Sequence, residues 1–410
     1  PMTTLIASGV SVSLIACIVL LPVWVGVLHA YRFGRTIIVM GALAALWGGA
    51  LSFFEQYRDV SSTLMRGQTL TFLTFVGSIG LLLWCRSQIG LAKTAAWFGI
   101  GALANIAIKG VDEENAWKFT FALPVAVTVL ALVSESRRRW LEIVALVALG
   151  TTSLLSDSRS MTAFFVFTIP VVAWQMFGRG QRGNGRPWQV LMWLSASGLG
   201  GYNLFQSLLL EGLLGEDAQQ RTAAQIKTAG SLILGGRPEA GAAVALVGNR
   251  PMGYGSGTLP SSNDIWVAKT GMSELGYDPN NGYVENYMFG HQIEVHSVLG
   301  DLWIRFGPLG AVFALLLLSS AVYAVARAVT QREASSVIVY LLLLGAWDIF
   351  FSPALPSART LALLFAITAI PMARAYAVHR PGHEDPTVRA VPRAVADGGR
   401  RADCSRLGAM

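Results

Sequence analysis

Apolar runs of membrane-spanning length follow one another along most of this chain, joined by short polar connections. One long polar stretch, Glu211 to Val295, interrupts them. The runs predict helices at about 4–30, 35–54, 69–85, 91–108, 117–134, 140–156, 160–177, 188–210, 309–329, 335–352 and 358–377, most of them near the roughly 17–25 residues that cross a bilayer. Lipid offers no partner to backbone N–H and C=O groups, so such runs form helices. A membrane barrel would show short alternating segments instead, and the chain does not. The expected fold class is an all-α integral membrane bundle of about eleven or twelve transmembrane helices with one large extracytoplasmic loop. If Pro22 splits residues 4–30 into two half-helices the count is twelve and the N-terminus is inside; otherwise it is outside. The predicted organisation is N-terminal transmembrane helices over 4–210, the loop over 211–295, C-terminal transmembrane helices over 296–377, and a basic tail over 378–410. The tail is Pro, Arg, Ala, Asp and Gly, a composition that reads as disordered.

Composition agrees. The 410 residues are 53% hydrophobic and 13% charged, with mean hydropathy +0.51, whereas soluble domains carry about 25% charge. The net charge of +7 suits nucleic acid only if it is clustered on one surface, and it is not. It sits in short connections such as Ser136-Arg-Arg-Arg139 and Arg179 to Arg186, and in the tail. That is the positive-inside pattern. It puts the connections near 31–35, 86–93, 135–140 and 178–187 in the cytoplasm, and those near 55–68, 109–116, 157–159, 211–295 and 353–357 outside. The long loop carries nine acidic residues against five Lys or Arg. It contains no cysteine, which leaves no disulfide framework and no cysteine-zinc site there. The first apolar segment has no basic flank ahead of it and no convincing cleavage site, so it reads as retained, with Met2 as the natural start.

Inside the loop, residues 218–234 predict a helix lying along the membrane surface. Residues 248–264 predict turns, and 275–290 an irregular segment.

Three places carry candidate chemistry. Arg159 follows Ser156-Asp-Ser in a very short outside turn, where an arginine runs against the positive-inside bias. It suits a phosphate, a lipid headgroup or Asp157. Arg237 and the later Arg250-Pro-Met-Gly-Tyr-Gly-Ser-Gly257 combine planar cations that grip phosphate with glycines that let backbone N–H groups approach an anion. Gly253 and Gly255 are the candidate glycines, although an ordinary turn has the same composition. His296, at the end of the loop, suits proton transfer from a hydroxyl. His291 and His296 are five apart with the wrong spacing for a zinc signature, so no metal site and no cofactor are expected. Arg221, Tyr287 and His291 are further candidate substrate contacts on the loop. Asp301 and Arg305 are spaced for an i,i+4 pair.

Taken together, Ser158-Arg159-Ser160, Gly236-Arg237, Pro251-Met-Gly-Tyr-Gly255, His296-Ser297 and Gly307-Pro-Leu-Gly310 resemble the bacterial O-antigen ligase and O-antigen polymerase family. Residues 150–320 carry the resemblance. The chain departs from the family pattern in having Arg305 where an acidic residue is frequent and Val298 where an aromatic one is. The resemblance implies a GT-C-like membrane glycosyltransferase of the inner membrane, with its site facing the periplasm. It would move a glycan from undecaprenyl diphosphate to an acceptor hydroxyl, without a metal. The acceptor would be lipid A–core for a ligase, or another lipid-linked glycan for a polymerase. His296, Arg237 and Arg159 would be catalytic. A flippase of lipid-linked glycans is the expectation from a different class, though such proteins place charges near the midplane of their helices, and this chain's helices are nearly free of charge.

Overall fold

The computed structural model describes residues 10–176 and 235–372, with 5–7, 192, 206–207, 210–211 and 216–229. The predicted helix at 188–210, the connection at 178–187 and the tail fall largely or wholly outside these residues. A small antiparallel pair, β1 (Leu5–Ala7) and β2 (Val10–Ser11), precedes the first helix. Helices α1 (Val12–Val19) and α2 (Leu21–Val27) follow. Then come α3 (Gly34–Phe53), α4 (Ser62–Ile89) and α5 (Leu91–Lys109). A π-helical turn (Ala116–Phe121) runs into α6 (Ala122–Glu135), followed by α7 (Arg139–Leu155) and α8 (Arg159–Trp174). The loop region holds α9 (Glu216–Ala229), α10 (Glu239–Asn249) and α11 (Ser262–Glu274). The last three are α12 (Val298–Thr330), α13 (Ser336–Phe351) and α14 (Ala354–Thr368).

The fold is all-helical apart from that small pair. Among the described residues five helices are long and apolar enough to cross a membrane. They are α3, α4, α5, the π turn with α6, and α12. Helices α1 and α2 count as a sixth if taken as one broken span, bent by 67°. Helices α8, α13 and α14 are shorter apolar helices. Several apolar helices of this kind make the chain a multi-pass membrane protein, although the described spans fall short of eleven or twelve. The break ahead of Pro22 has a simple cause: Pro sits in the first turn of α2, where its missing N–H costs nothing.

The polar connections segregate to two ends of the bundle. At one end Arg32 N–H donates to the Ile370 carbonyl at 2.8 Å, Arg86 Nη1 caps the Ala366 and Ala369 carbonyls at 2.7 Å each, and Arg139 reaches the Arg332 carbonyl at 3.3 Å. At the other end Ser61 N–H donates to the Gly257 carbonyl at 2.9 Å and Leu259 N–H to the Asp59 carbonyl at 2.9 Å. Asn115 Nδ2 reaches the Ser156 carbonyl at 2.7 Å.

The polar stretch is a folded cap on that second end rather than an open loop. Ala242, Leu246, Tyr254, Ala268, Met272, Val284, Met288, Phe289, Ile293 and Val295 form a core of their own, joined to the bundle by Ile304 of α12. Helices α10 and α11 are absent from the sequence expectation, because they meet closely at Gly241 and Gly271 and bury only scattered apolar residues such as Ala242, Leu246, Ala268 and Met272 rather than a strong apolar stripe.

The joint between cap and bundle is a break in α12. Gly307 sits at φ 63°, ψ −160° and Pro308 follows. An α-helical carbonyl accepts from the N–H four residues on. For Ile304 that residue is Pro308, which has none. The freed Ile304 carbonyl accepts instead from Tyr254 N–H at 2.7 Å and Gly255 N–H at 3.3 Å. Trp303 Nε1 donates to the Pro251 carbonyl at 2.8 Å, and Trp47 Nε1 to that of Met252 at 3.3 Å. A Cβ on Gly253 would lie 2.7 Å from the Gly307 Cα. The two glycine motifs are therefore the two halves of one contact. The stretch Val298–Thr330 is two helical segments joined at this break; the predicted start near 309 matches the second, and the first, Val298 to Phe306, is the part the sequence expectation lacks.

Candidate functional site

His296 lies in the turn where the cap returns to the bundle. Its backbone is left-handed, φ 51°, which for a non-glycine residue costs of order 1 kcal/mol or more and needs outside support. The support is on both sides. Asp301, fully buried, accepts from Val295 N–H at 2.8 Å and from Ala354 N–H at 2.9 Å. Ser297 caps α12 by accepting from Gly300 N–H at 3.1 Å, and donates to the Ile349 carbonyl at 3.2 Å. The braces reach α13 and α14 as well as α12. The imidazole is half-buried. Its Nδ1 is buried and without a partner.

The ring stacks at 6.5 Å on Tyr283, which stacks at 5.5 Å on the exposed Tyr287. The Tyr283 hydroxyl donates to Glu239 Oε1 at 2.5 Å. Glu239, in the first turn of α10, is buried, and its second oxygen has no partner. Burial pushes the Tyr283 phenol up, the Glu239 carboxylate pushes it further, and Arg237 works against both. The phenol stays protonated at any working pH, and Arg237 is close enough to be felt by it. The Arg237 guanidinium lies 5.8 Å from the Trp347 ring centroid and makes no ion pair among the described residues.

Arg159 reaches this group only through intermediaries. It is the first residue of α8, and Phe164 of the same helix packs edge-on to Trp347 at 6.0 Å. Five residues along a helix is about 7.5 Å. Arg159 itself pairs loosely with Asp157 at 3.4 Å and stays 37% exposed. Ser158 beside it is buried, with its hydroxyl unpartnered. The structure thus gathers His296 and Arg237 around Tyr283: the imidazole stacks on its ring, and the guanidinium is near enough to act on its phenol. It sets Arg159 at the top of the helix that carries their aromatic backing.

No protein-family model matches the chain significantly, and neither does any curated protein or solved structure.

The remaining candidates are engaged elsewhere or outward. Arg250 pairs with Glu55 at 2.5 Å and packs its guanidinium over Tyr254. Burial raises the Glu55 carboxyl, but the Arg250 bond, the Tyr57 N–H and the nearby charges of Arg250 and Arg58 together outweigh it and hold Glu55 below the usual carboxylate value. In the glycine turn, the Gly253 N–H goes to the Arg250 carbonyl at 3.0 Å and the Gly255 N–H to Ile304. The N–H groups of Ser256 and Gly257 go to the Gly48 carbonyl and the Ser52 hydroxyl. The turn spends its donors on the bundle. His291 is exposed. Arg221 falls on α9, with its side chain outside the described residues. Arg305 does not pair with Asp301: it reaches the Ile293 carbonyl at 3.3 Å and Glu294 at 3.8 Å, because Asp301 is consumed by backbone N–H groups. Among the described residues no three His, Cys, Asp or Glu side chains converge as metal ligands.

A cavity of about 330 Å³ lies beside the His296 turn. Val298 and Leu302 of α12, Phe72 and Phe75 of α4 and Leu355 of α14 give it apolar walls. Gln68, Gln292 and Arg305 lie at its polar end, with Gln68 Nε2 donating to Gln292 Oε1 at 2.8 Å. Separate from its lining, the unpartnered His296 imidazole stacks on the half-buried Tyr283, whose phenol bonds the buried Glu239 and feels the Arg237 guanidinium. Such a set can take a proton from a hydroxyl and stabilise an anion. Glu239 and Trp347 were not among the residues singled out in the sequence. Glu239 stands two places from Arg237, and that closeness is the signal that could have found it.

Proposed function

We propose that the protein is a membrane glycosyltransferase of GT-C-like architecture. It transfers a glycan from undecaprenyl diphosphate to an acceptor hydroxyl on the periplasmic side of the inner membrane, as an O-antigen ligase does. The observation that carries this reading is that His296 and Arg237, far apart in sequence and suited to complementary roles, both come to Tyr283, the imidazole stacked on its ring and the guanidinium near its phenol.

In the reaction the glycosidic bond from the sugar's anomeric carbon to the diphosphate oxygen breaks. A bond from that carbon to the acceptor oxygen forms on the opposite face, with inversion. His296 takes the acceptor's proton. Charge grows on the leaving diphosphate, where Arg237 and Arg159 stabilise it more strongly than in the ground state. Tyr283 and Glu239 hold the imidazole and the α10 start in register. The apolar cavity beside Val298 takes the first isoprene units of the donor.

A ligase and a polymerase share this chemistry and differ in acceptor. Incubating purified protein with an undecaprenyl diphosphate glycan, with and without lipid A–core, tests the reading. A core-linked product means ligase, and a ladder of longer lipid-linked glycans means polymerase. Movement of the substrate across a liposome membrane with no turnover would mean a flippase and defeat the proposal.

A further inference from the structure

A second polar cavity, of about 180 Å³, lies between the end of α5, the π turn with the start of α6, and α14. It shares no residue with the site around His296. Asn105, Lys118, Thr120 and Arg359 supply its polar walls, and Phe98 and Leu123 are among its apolar ones.

Among the described residues, three of those polar groups have no hydrogen-bond or ion-pair partner for their side chains. Arg359 stands in the second turn of α14 and makes no hydrogen bond or ion pair among the described residues. An arginine set into an apolar helix is costly unless an anion or water meets it. Asn105, on the apolar α5, is only 8% exposed and its amide makes no hydrogen bond among the described residues. Lys118 is exposed and rests against the Phe119 ring at 4.9 Å, with no ion pair. The acidic run Asp112 to Glu114 lies nearby without neutralising them. The Asp112 carboxylate accepts from Glu114 N–H at 3.0 Å and Asn115 N–H at 3.1 Å, and none of the three pairs with either cation.

A guanidinium and an ammonium are donors only. A pocket that gathers both with a buried amide, and offers no carboxylate, is short of acceptor oxygens. A phosphate supplies them, and Arg grips it with two parallel bonds. The apolar walls suit the carbon chain such a phosphate would carry. We propose that Arg359, Lys118 and Asn105 form a second anion site that holds a phosphate group, carried by a membrane lipid.

The proposal stands apart from the glycosyl-transfer reading. The test uses the purified full chain in detergent. Native mass spectrometry and thermal shift are read with short-chain dihexanoyl phosphatidic acid, dihexanoylglycerol and inorganic phosphate. Phosphatidic acid should bind and raise the melting temperature, and dihexanoylglycerol should not. Arg359→Gln should weaken that binding about 10-fold or more, and Lys118→Gln by about 3-fold. Equal binding of inorganic phosphate supports the anion site and makes its source a free ion. If Arg359→Gln fails to fold, Lys118→Gln on the exposed rim carries the comparison. Binding of no phosphate probe, or binding unchanged in both variants, overturns the proposal.

Discussion

The hydroxyl of Tyr283 donates to the carboxylate of Glu239 at 2.5 Å. That bond ties the segment stacked on His296 to the helix that starts beside Arg237. Tyr283→Phe keeps the ring under the imidazole and removes only this tie. A buried acceptor loses its donor, so stability should drop by about 1–2 kcal/mol. Turnover should fall by about 10-fold as the imidazole and the guanidinium lose register. Steady-state kinetics beside a melting curve checks both. Turnover equal to the unaltered protein's would show that the pair does not position the site.

The break in α12 makes Gly307 irreplaceable. Its φ of 63° with ψ −160° is a region essentially restricted to glycine, and a Cβ there would lie 2.4 Å from the Met252 carbonyl oxygen. Gly307→Ala should cost about 3 kcal/mol or more, strain and clash together. Proteolysis should then cut the cap before the bundle unfolds. A variant as stable as the parent would remove the claim that the two glycine motifs form one joint.

The cap is pinned a second time by Arg58, which forks onto Asp264 at 2.5 and 2.7 Å. Asp264 is fully buried and completes a capping box with Ser261 at the start of α11. Asp264→Asn leaves Arg58 uncompensated and should lower stability by about 3 kcal/mol.

The same pair sets an acid limit. Burial raises the Asp264 carboxyl, but Arg58 and Ser261 outweigh it and hold its pKa below the usual value; Glu55 is depressed likewise. A carboxylate depressed in the folded state contributes fully above its unfolded pKa, about 3.9 for Asp and 4.3 for Glu. That contribution is lost as pH falls through the lower folded value. Melting temperature should therefore hold from pH 7 to about 5 and drop below about 4, with a shallower drop in Asp264→Asn. An identical acid profile in the variant would place the sensitivity elsewhere.

Arg250 is the candidate whose surroundings most favour a structural task. Arg250→Gln breaks its pair with the mostly buried Glu55 and should cost about 1 kcal/mol, with KM for the lipid donor changed less than about 2-fold. A large rise in KM at unchanged stability would return Arg250 to the substrate.

Hydropathy alone located α3, α5, α6, α7, α8 and α13 to within a few residues, because lipid leaves a long apolar run one way to satisfy its backbone. Of α12 it located the segment after Pro308 and missed the short one before Gly307, where the backbone leaves the helical region. It also missed α10 and α11, whose Ala- and Gly-rich faces are buried by close contact rather than by a strong stripe. His296, Arg237 and Arg159 stood out as residues because their charge or titration is unusual at a membrane edge. The Tyr283–Glu239 pair did not, since a loop tyrosine and a helix-start glutamate are ordinary until folding brings them together. The glycines at 253 and 255 were noticed for the right geometry, but the sequence could not show that Ile304 and Gly48 would claim their turn's N–H groups.

The most direct measurement is single-turnover transfer from an undecaprenyl diphosphate glycan by the purified protein, compared with His296→Ala and Arg237→Ala. The account predicts release of undecaprenyl diphosphate with a glycosylated acceptor. It predicts a loss of about 100-fold or more in each variant, at melting temperatures close to the parent's. Absence of transfer to either lipid A–core or a lipid-linked glycan, or undiminished transfer by both variants, would contradict it.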